Sequence, residues 1–469
     1  MPVQVRTRVC HTGRMTSKPR SGEHRSVTAA AVEAPPFSIV DLFSGAGGFS
    51  EGFRQAGFNV LAGLDNDPDA TATYALNFPE ALTVSGDIKN RRIRENLAGV
   101  IRTATVIVGG PPCQAFSQVR NHTRVIEDPR NDLYREFVSV IRSARPPAFI
   151  MENVTGMDQM GVREQIKSDL ELGGEYTVIP QVLDAADFGV PQTRKRLLFV
   201  GTRRDVADRP PMICGSGATD AVYLQRTTGA KNTRYKVCLQ PGLFQRQVAL
   251  ALEDPADASV VTAAQAISDL SNLDVGNRQD QRAYAELLPI QSEYQRKMRT
   301  GCGAILSNVQ VPRINRDTAL RLRGVPKGGN HRDLSDALME RYITGQRWGQ
   351  DNGSGRLSRR HFYAYRRLHP EIWAWTLNTK ADSVYHYDCA RALSVREFAR
   401  LQSFPDRFVF TTDSRKEHLA GRHDGGPAHS RYRQVGNAVP PLLARAAAEQ
   451  LSVVLRAWSR ALSTRAKTG

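Results

Sequence analysis

Cysteine is scarce in this 469-residue chain, with only Cys10, Cys113, Cys214, Cys238, Cys302 and Cys389. No two of them form a C-x-x-C pair, and none has histidines at zinc-type spacing, so no metal centre is expected. Their density is also too low for a disulfide framework, which fits a reducing cytoplasm. No continuous apolar run reaches about 18 residues, so no membrane partner is expected. The N-terminal arm, residues 1–36, is basic but has no apolar h-region, which argues against a secretory signal. It reads as a flexible extension. Acidic residues are in the minority: 64 Lys+Arg face 47 Asp+Glu, a formal charge of +17. Such an excess favours a polyanionic partner, because lysine and arginine displace the counterions of phosphates.

What is present is most regular between Phe37 and Gly201. "FSIVDLF", "FNVLAGLD", "TATVIVGG" and "AFIMENV" read as short buried strands. They alternate with helical patterns in "GFSEGFRQAG", "PDATATYALNF" and "NDLYREFVSVIRSA". That alternation predicts an α/β fold with a parallel, doubly wound, Rossmann-like sheet. "YTVIPQVLDA" and "RKRLLFVG" are expected to extend the sheet. Residues 202–388 are polar, glycine-punctuated and arginine-rich without a sustained period, and are read as a smaller irregular lobe. Residues 389–435 form a return segment, and residues 436–462 a C-terminal helix that completes the first lobe, with prolines at its entry.

Chemistry is concentrated at the strand ends. "DLFSGAGGFS" places a glycine-rich turn between the first strand and first helix, where backbone can approach a ligand. It lacks the G-x-G-x-x-G phosphate fingerprint, having Ser50 in the last position. Asp65 ends the second strand, where an acid takes ribose hydroxyls in doubly wound folds. Gly86, Asp87 and Ile88 end the next stretch, and together these strand ends outline a nucleoside pocket. In "VIVGGPPCQAFSQ", Cys113 follows two glycines and two prolines, poor core packing but a stiff support for a thiolate nucleophile. A cysteine hydrolase would need a partnered histidine, and none lies in these motifs. "MENV" puts Glu152 on the same rim, partly buried and suited to sharing a proton. Arg194 and Arg196, two residues apart, are expected on one side of a strand, facing a carbonyl or phosphate.

Taken together, "DLFSGAGGFSEGF", "GGPPCQAFS", "MENV", "FGVPQTRKRLLFVG", "REFARLQSFPD" and "QVGNAVPPLLA" resemble the ordered blocks of the cytosine-C5 DNA methyltransferases. The resemblance implies a lobe that binds S-adenosylmethionine and methylates C5 of a flipped cytosine in double-stranded DNA. Cys113 would attack C6, Glu152 would hold the N3 and amino edge, Arg194 would steady the base carbonyl, and Arg196 would support Glu152. Phe43, Ala46, Gly47, Gly48, Asp65, Asp87 and Ile88 would line the cofactor pocket, with Asn437 closing it. The family often carries an apolar or aromatic residue after the ribose acid; here Asn66 stands there.

Residues 202–388 occupy the place of the family's target-recognition domain. Gln114 and Ser117, with Arg356, Arg359 and Arg360, are candidate DNA contacts, and Arg366 and Arg367 extend that cluster. The resemblance further implies a monomer acting in a restriction–modification system beside a cognate endonuclease, in the cytoplasm and on the nucleoid. The rivals are a tRNA methyltransferase on the same scaffold and a DNA-binding regulator without activity.

Overall fold

A computed structural model describes residues 37–112, 132–156, 162–229, 232–239, 260–273, 279–339, 365–413 and 426–468. These belong to one compact unit spanning Pro35–Gly469. At its centre is a seven-stranded sheet made of β1 (Ser38–Leu42), β2 (Asn59–Asp65), β3 (Leu82–Ser85), β4 (Val106–Gly109), β5 (Ala148–Val154), β6 (Tyr176–Asp184) and β7 (Lys195–Arg203). The strand order is β3-β2-β1-β4-β5-β7-β6. Strands β1 to β5 pair in parallel, whereas β7 runs antiparallel to both β5 and β6. The parallel pairing read from the strand–helix alternation thus holds for β1 to β5, and β7, one of the two runs expected to extend the sheet, joins it antiparallel. Only residues 185–194 separate β6 from β7, and a parallel crossover needs about a dozen residues or more.

The continuous apolar runs have a simple cause: both faces of the sheet are covered. Ile39, Val106, Val108, Ile150, Leu198 and Val200 face one core, shared with Phe49, Phe53 and the C-terminal residues Leu443, Ala447 and Leu451. Val40, Leu42, Ile107, Phe149, Met151, Leu197 and Phe199 face the other, shared with Leu97, Ile101, Phe137, Ile141 and Ile166. The C-terminal helix Pro441–Thr468 lies against the first helix, Gly48–Gln55. Two glycines allow that approach: a Cβ at Gly48 would lie 2.2 Å from the Val439 carbonyl oxygen, and one at Gly52 2.4 Å from that of Pro441.

The later segments join the first core. Ala263, Ile267, Tyr294, Met298, Leu368, Ala374 and Tyr387 belong to the same apolar cluster as β1 and β4. Around the helix Val395–Leu401 the bonding changes character, because Arg391, Arg396 and Arg400 are among the largest fully buried side chains. Arg400 donates to Asp406 at 2.8 and 2.7 Å and to Asp269 at 2.5 Å. Arg391 grips Glu397 through two bonds of 2.8 Å. Arg396 donates to the main-chain carbonyls of Ser307, Pro405 and Phe408. Burying a charge is costly unless it is paired and hydrogen-bonded, and here the guanidiniums meet that condition.

Candidate active site

The rim at the carboxyl ends of β1, β2 and β3 brings the expected cofactor residues together. Phe43 leaves β1 in a left-handed conformation, φ 62°, the kind of local strain found at ligand sites. Gly47 follows at φ 102°, above the aromatic ring of Phe78, where a Cβ would sit 2.5 Å away. Asp65 accepts the Gly45 N–H and the Asp67 N–H, both at 2.8 Å, so its carboxylate is fixed against the glycine turn. Burial raises its pKa above the ordinary aspartate value, and those two N–H donors oppose the rise. The Gly86 N–H bonds to the Asp65 carbonyl, which aligns the third strand end with the second. Asp87 is exposed and accepts the Lys89 N–H at 2.9 Å, Ile88 is buried, and Ala46 is buried beneath the turn.

Below this turn lies a chain of polar groups that sequence reasoning missed. Ser50 donates to Asp41 Oδ2 at 2.8 Å and lies 2.8 Å from the Tyr74 hydroxyl. Asp41 is buried, and burial pushes its pKa up to about 7. Asp41 Oδ1 and Ser44 Oγ are buried without a hydrogen-bond partner among the described residues. Buried polar atoms are normally satisfied, so two orphans at the foot of a glycine turn fit a pocket completed by a polar ligand. Ser50 and Tyr74 stand on two different helices with no motif to link them, and only the fold sets them beside Asp41. Asn437 ends the helix Gly426–Asn437 with its side chain exposed, two residues before the Val439 carbonyl that covers Gly48.

On the other half of the rim, β4 ends in Gly109, Gly110, Pro111 and Pro112. Neither glycine has a positive φ; each makes room instead. A Cβ on Gly109 would lie 2.4 Å from the Leu42 carbonyl oxygen, and one on Gly110 would lie 3.1 Å from Glu152 Oε2. Asn153 is buried and donates to the Pro111 carbonyl at 3.1 Å, tying the proline turn to β5. Cys113, Gln114 and Ser117 lie outside the described residues, as do Arg356, Arg359 and Arg360. Glu152 and Arg196 form an ion pair of 2.6 Å, with side chains 14% and 13% exposed. Strand register explains the meeting: Arg196 pairs with Val154, whose side chain shares a face with that of Glu152.

Arg194 goes elsewhere. β7 begins at Lys195, so Arg194 precedes the strand and the two-residue alternation does not reach it. Its side chain is 2% exposed and donates to the carbonyls of Leu377, at 3.1 Å, and Gly436, at 2.6 Å. Burial and the nearby Arg196 charge depress its pKa well below the usual arginine value. The guanidinium beside Glu152 is that of Arg196. Gln192 belongs to the same interior tie, accepting the Leu377 N–H and bonding to Gln402, which donates to the Ala438 carbonyl at 2.6 Å. Arg367 is likewise internal: it donates to the carbonyls of Leu322, Val325, Tyr387 and Asp388. Among the described residues there is no metal-ligand cluster and no helix long and apolar enough to cross a membrane.

Residues 37–453 match the family model described as C-5 cytosine-specific DNA methylase. The chain is 30% identical over 418 residues to the type II methyltransferase M1.HphI of Haemophilus parahaemolyticus, covering 88% of this chain and 86% of that protein. It is also 30% identical over 431 residues to the type II methyltransferase M.DdeI of Desulfomicrobium norvegicum, covering 88% of each. A solved E. coli structure, a candidate DNA modification methyltransferase encoded within a prophage, superposes with a TM-score of 0.56 at 23% identity, covering 90% of this chain and 99% of that one. That likeness bears on the fold alone.

Proposed function

Because the chain belongs to the C-5 cytosine-specific DNA methylase family, we propose that it methylates C5 of one cytosine within a specific duplex sequence, through a bond between Cys113 and C6. The observation that carries this reading is the Glu152–Arg196 pair beside the Gly110–Pro111 turn, one further proline before Cys113.

Cytosine C6 is inaccessible in a stacked duplex, so the base must be turned out into the site. The Cys113 thiolate adds to C6, and Glu152 holds the amino edge and shares a proton with N3 as charge moves into the ring. C5 then carries the nucleophilic electron pair. S-adenosylmethionine, when bound, supplies an electrophilic methyl group. Loss of the C5 proton and expulsion of the thiolate restore the aromatic ring and free Cys113. Arg196, salt-bridged to Glu152, orients that carboxylate and faces the base carbonyl. Arg194 acts from inside, bracing the Gly436–Asn437 wall of the cofactor pocket.

The orphaned Asp41 and Ser44 atoms, the strained Phe43 and the fixed Asp65 support a pocket for S-adenosylmethionine. Asp65 would hold the ribose, and the Gly45–Gly48 backbone would face the methionine part. The type II relatives favour a role in protecting host DNA from a partner endonuclease; the same reading takes the enzyme as a monomer in the cytoplasm and on the nucleoid. Residues 202–388 are proposed as the target-recognition part.

Incubating the protein with S-adenosylmethionine and mixed-sequence duplexes carrying 5-fluorocytosine should trap a covalent complex, because fluorine cannot leave as a proton does. Mass spectrometry is expected to place the adduct on Cys113. A protein that binds the cofactor, forms no adduct with duplexes and methylates tRNA would refute the DNA reading.

A further inference from the structure

Residues Val222–Gly229 and Asn232–Leu239 form a two-stranded antiparallel ribbon, β8 and β9. At about 3.3 Å per residue each strand is roughly 26 Å long. One face is docked: Leu224 and Tyr235 lie against Gly328, where a Cβ would be 2.9 Å from Leu224 Cδ2. Tyr235 donates to Asp333 at 2.9 Å, and Arg226 pairs with the same carboxylate at 2.7 Å. The opposite face carries three cross-strand pairs, Tyr223 with Cys238, Gln225 with Lys236, and Thr227 with Arg234. Tyr223, Gln225, Arg234 and Lys236 are exposed. The stretch "VYLQRTTGAKNTRYKVCL" contains four cationic residues and no aspartate or glutamate.

The root of this ribbon is fixed at the catalytic rim. Thr219 donates through its N–H and its hydroxyl to Asp187, at 2.8 and 2.9 Å. Asp187 sits in the turn after β6, whose last residue, Asp184, pairs with Lys195 at the start of β7. Arg196 is the next residue. The ribbon therefore springs from the edge that bears the Glu152–Arg196 pair.

We propose that the outer face of this ribbon lies in the major groove of the substrate duplex and reads bases beside the target cytosine. The major groove admits a two-stranded ribbon, and its base edges offer partners matched to these side chains. Gln225 suits the N6 and N7 edge of adenine, while Arg234 and Lys236 suit guanine or the flanking phosphates. The docked face leaves these side chains outward, and the absence of acidic residues removes any repulsion from the DNA. The inference rests on the reading of the chain as a DNA methyltransferase.

The test uses the full chain. R234A/K236A should weaken binding to a mixed-sequence duplex of about 30 base pairs by roughly tenfold at 0.1 M salt, and lower the salt slope by about 1 to 2. R456A/R460A, on the exposed end of the C-terminal helix, should leave both unchanged. In a host without cytosine-C5 methylation of its own, sequencing the genomic 5-methylcytosine gives the motif of the parent protein. Q225A is expected to relax one position of that motif, raising methylation of single-base variants about tenfold. Unchanged duplex affinity, salt slope and motif in these ribbon variants would overturn the proposal. If the parent protein leaves no methylation but R234A/K236A still weakens duplex binding, the groove contact stands and the transfer reading falls.

Discussion

The inner strands of the sheet, such as β4, and the segment around Val395–Leu401 are both fully buried, by opposite means. In the sheet, strands such as Val106–Gly109 bury every residue with hydrocarbon, and the backbone ladder satisfies the polar groups. In the later segment, Arg391 is paired with Glu397 and Arg400 with Asp406 and Asp269, all buried, while the buried Arg396 donates to main-chain carbonyls. The first device tolerates small losses, because an apolar contact is one among many. The second does not: deleting one charge leaves its partner buried and uncompensated. The proposed reaction chemistry sits at the strand ends of the sheet. The ionic brace holds the later segments against it.

Six substitutions, in four comparisons, would break or sharpen this contrast. The largest expected effect is on the rim: Glu152→Gln should slow methyl transfer by about 10²- to 10⁴-fold, because it removes a proton-sharing group. Transfer of labelled methyl within tenfold of the parent would remove Glu152 from the chemistry. Arg400→Leu should cost about 3–5 kcal/mol in denaturant unfolding, since Asp406 and Asp269 lose their shared partner, whereas Ile107→Val should cost only about 0.5–1.5 kcal/mol. Equal losses from the two would erase the distinction between brace and sheet.

The buried acid of the sheet gives the next effect. Asp41 has a folded pKa of about 7 against an ordinary value of 3.8, so the native state binds the extra proton between those values. The stability linked to that proton is fully present below about pH 4 and is lost as pH rises through about 7. Asp41→Asn should flatten the fall in stability between pH 5 and 7.5 by roughly 2–4 kcal/mol, at about 1.4 kcal/mol per pKa unit. Unfolding curves that keep the parent slope would show that Asp41 is ionised throughout. The smallest effect separates the two arginines. Arg196→Ala should lower kcat about tenfold and leave cofactor affinity alone, as loss of the group that orients Glu152 predicts. Arg194→Ala should instead weaken cofactor binding, measured calorimetrically without DNA, and lower the unfolding temperature.

Much of the first lobe was legible because its signals are local. Apolar runs, helix spacing and the glycine or acid at each strand end mark β1, β2, β4 and β5 directly. β3 and the helix Arg91–Thr103 were less visible, since Leu82–Ser85 is a short edge strand with little buried surface. The arginines of the second half were harder. A guanidinium at the surface and one inside a brace leave the same letter in the chain, so Arg367 read as a phosphate contact although it binds four main-chain carbonyls.

The sequence by itself determined the sheet-forming runs, the positions of the strand ends and the presence there of Cys113, Glu152 and Asp65, because periodicity and residue chemistry act over a few residues. Tertiary structure decided that β7 runs backwards, that Arg196 meets Glu152 while Arg194 turns inward, and that Asp41 is left with an orphaned oxygen. Each of those outcomes depends on which distant groups share a desolvated volume, and burial and pairing of polar groups are properties of the packed chain.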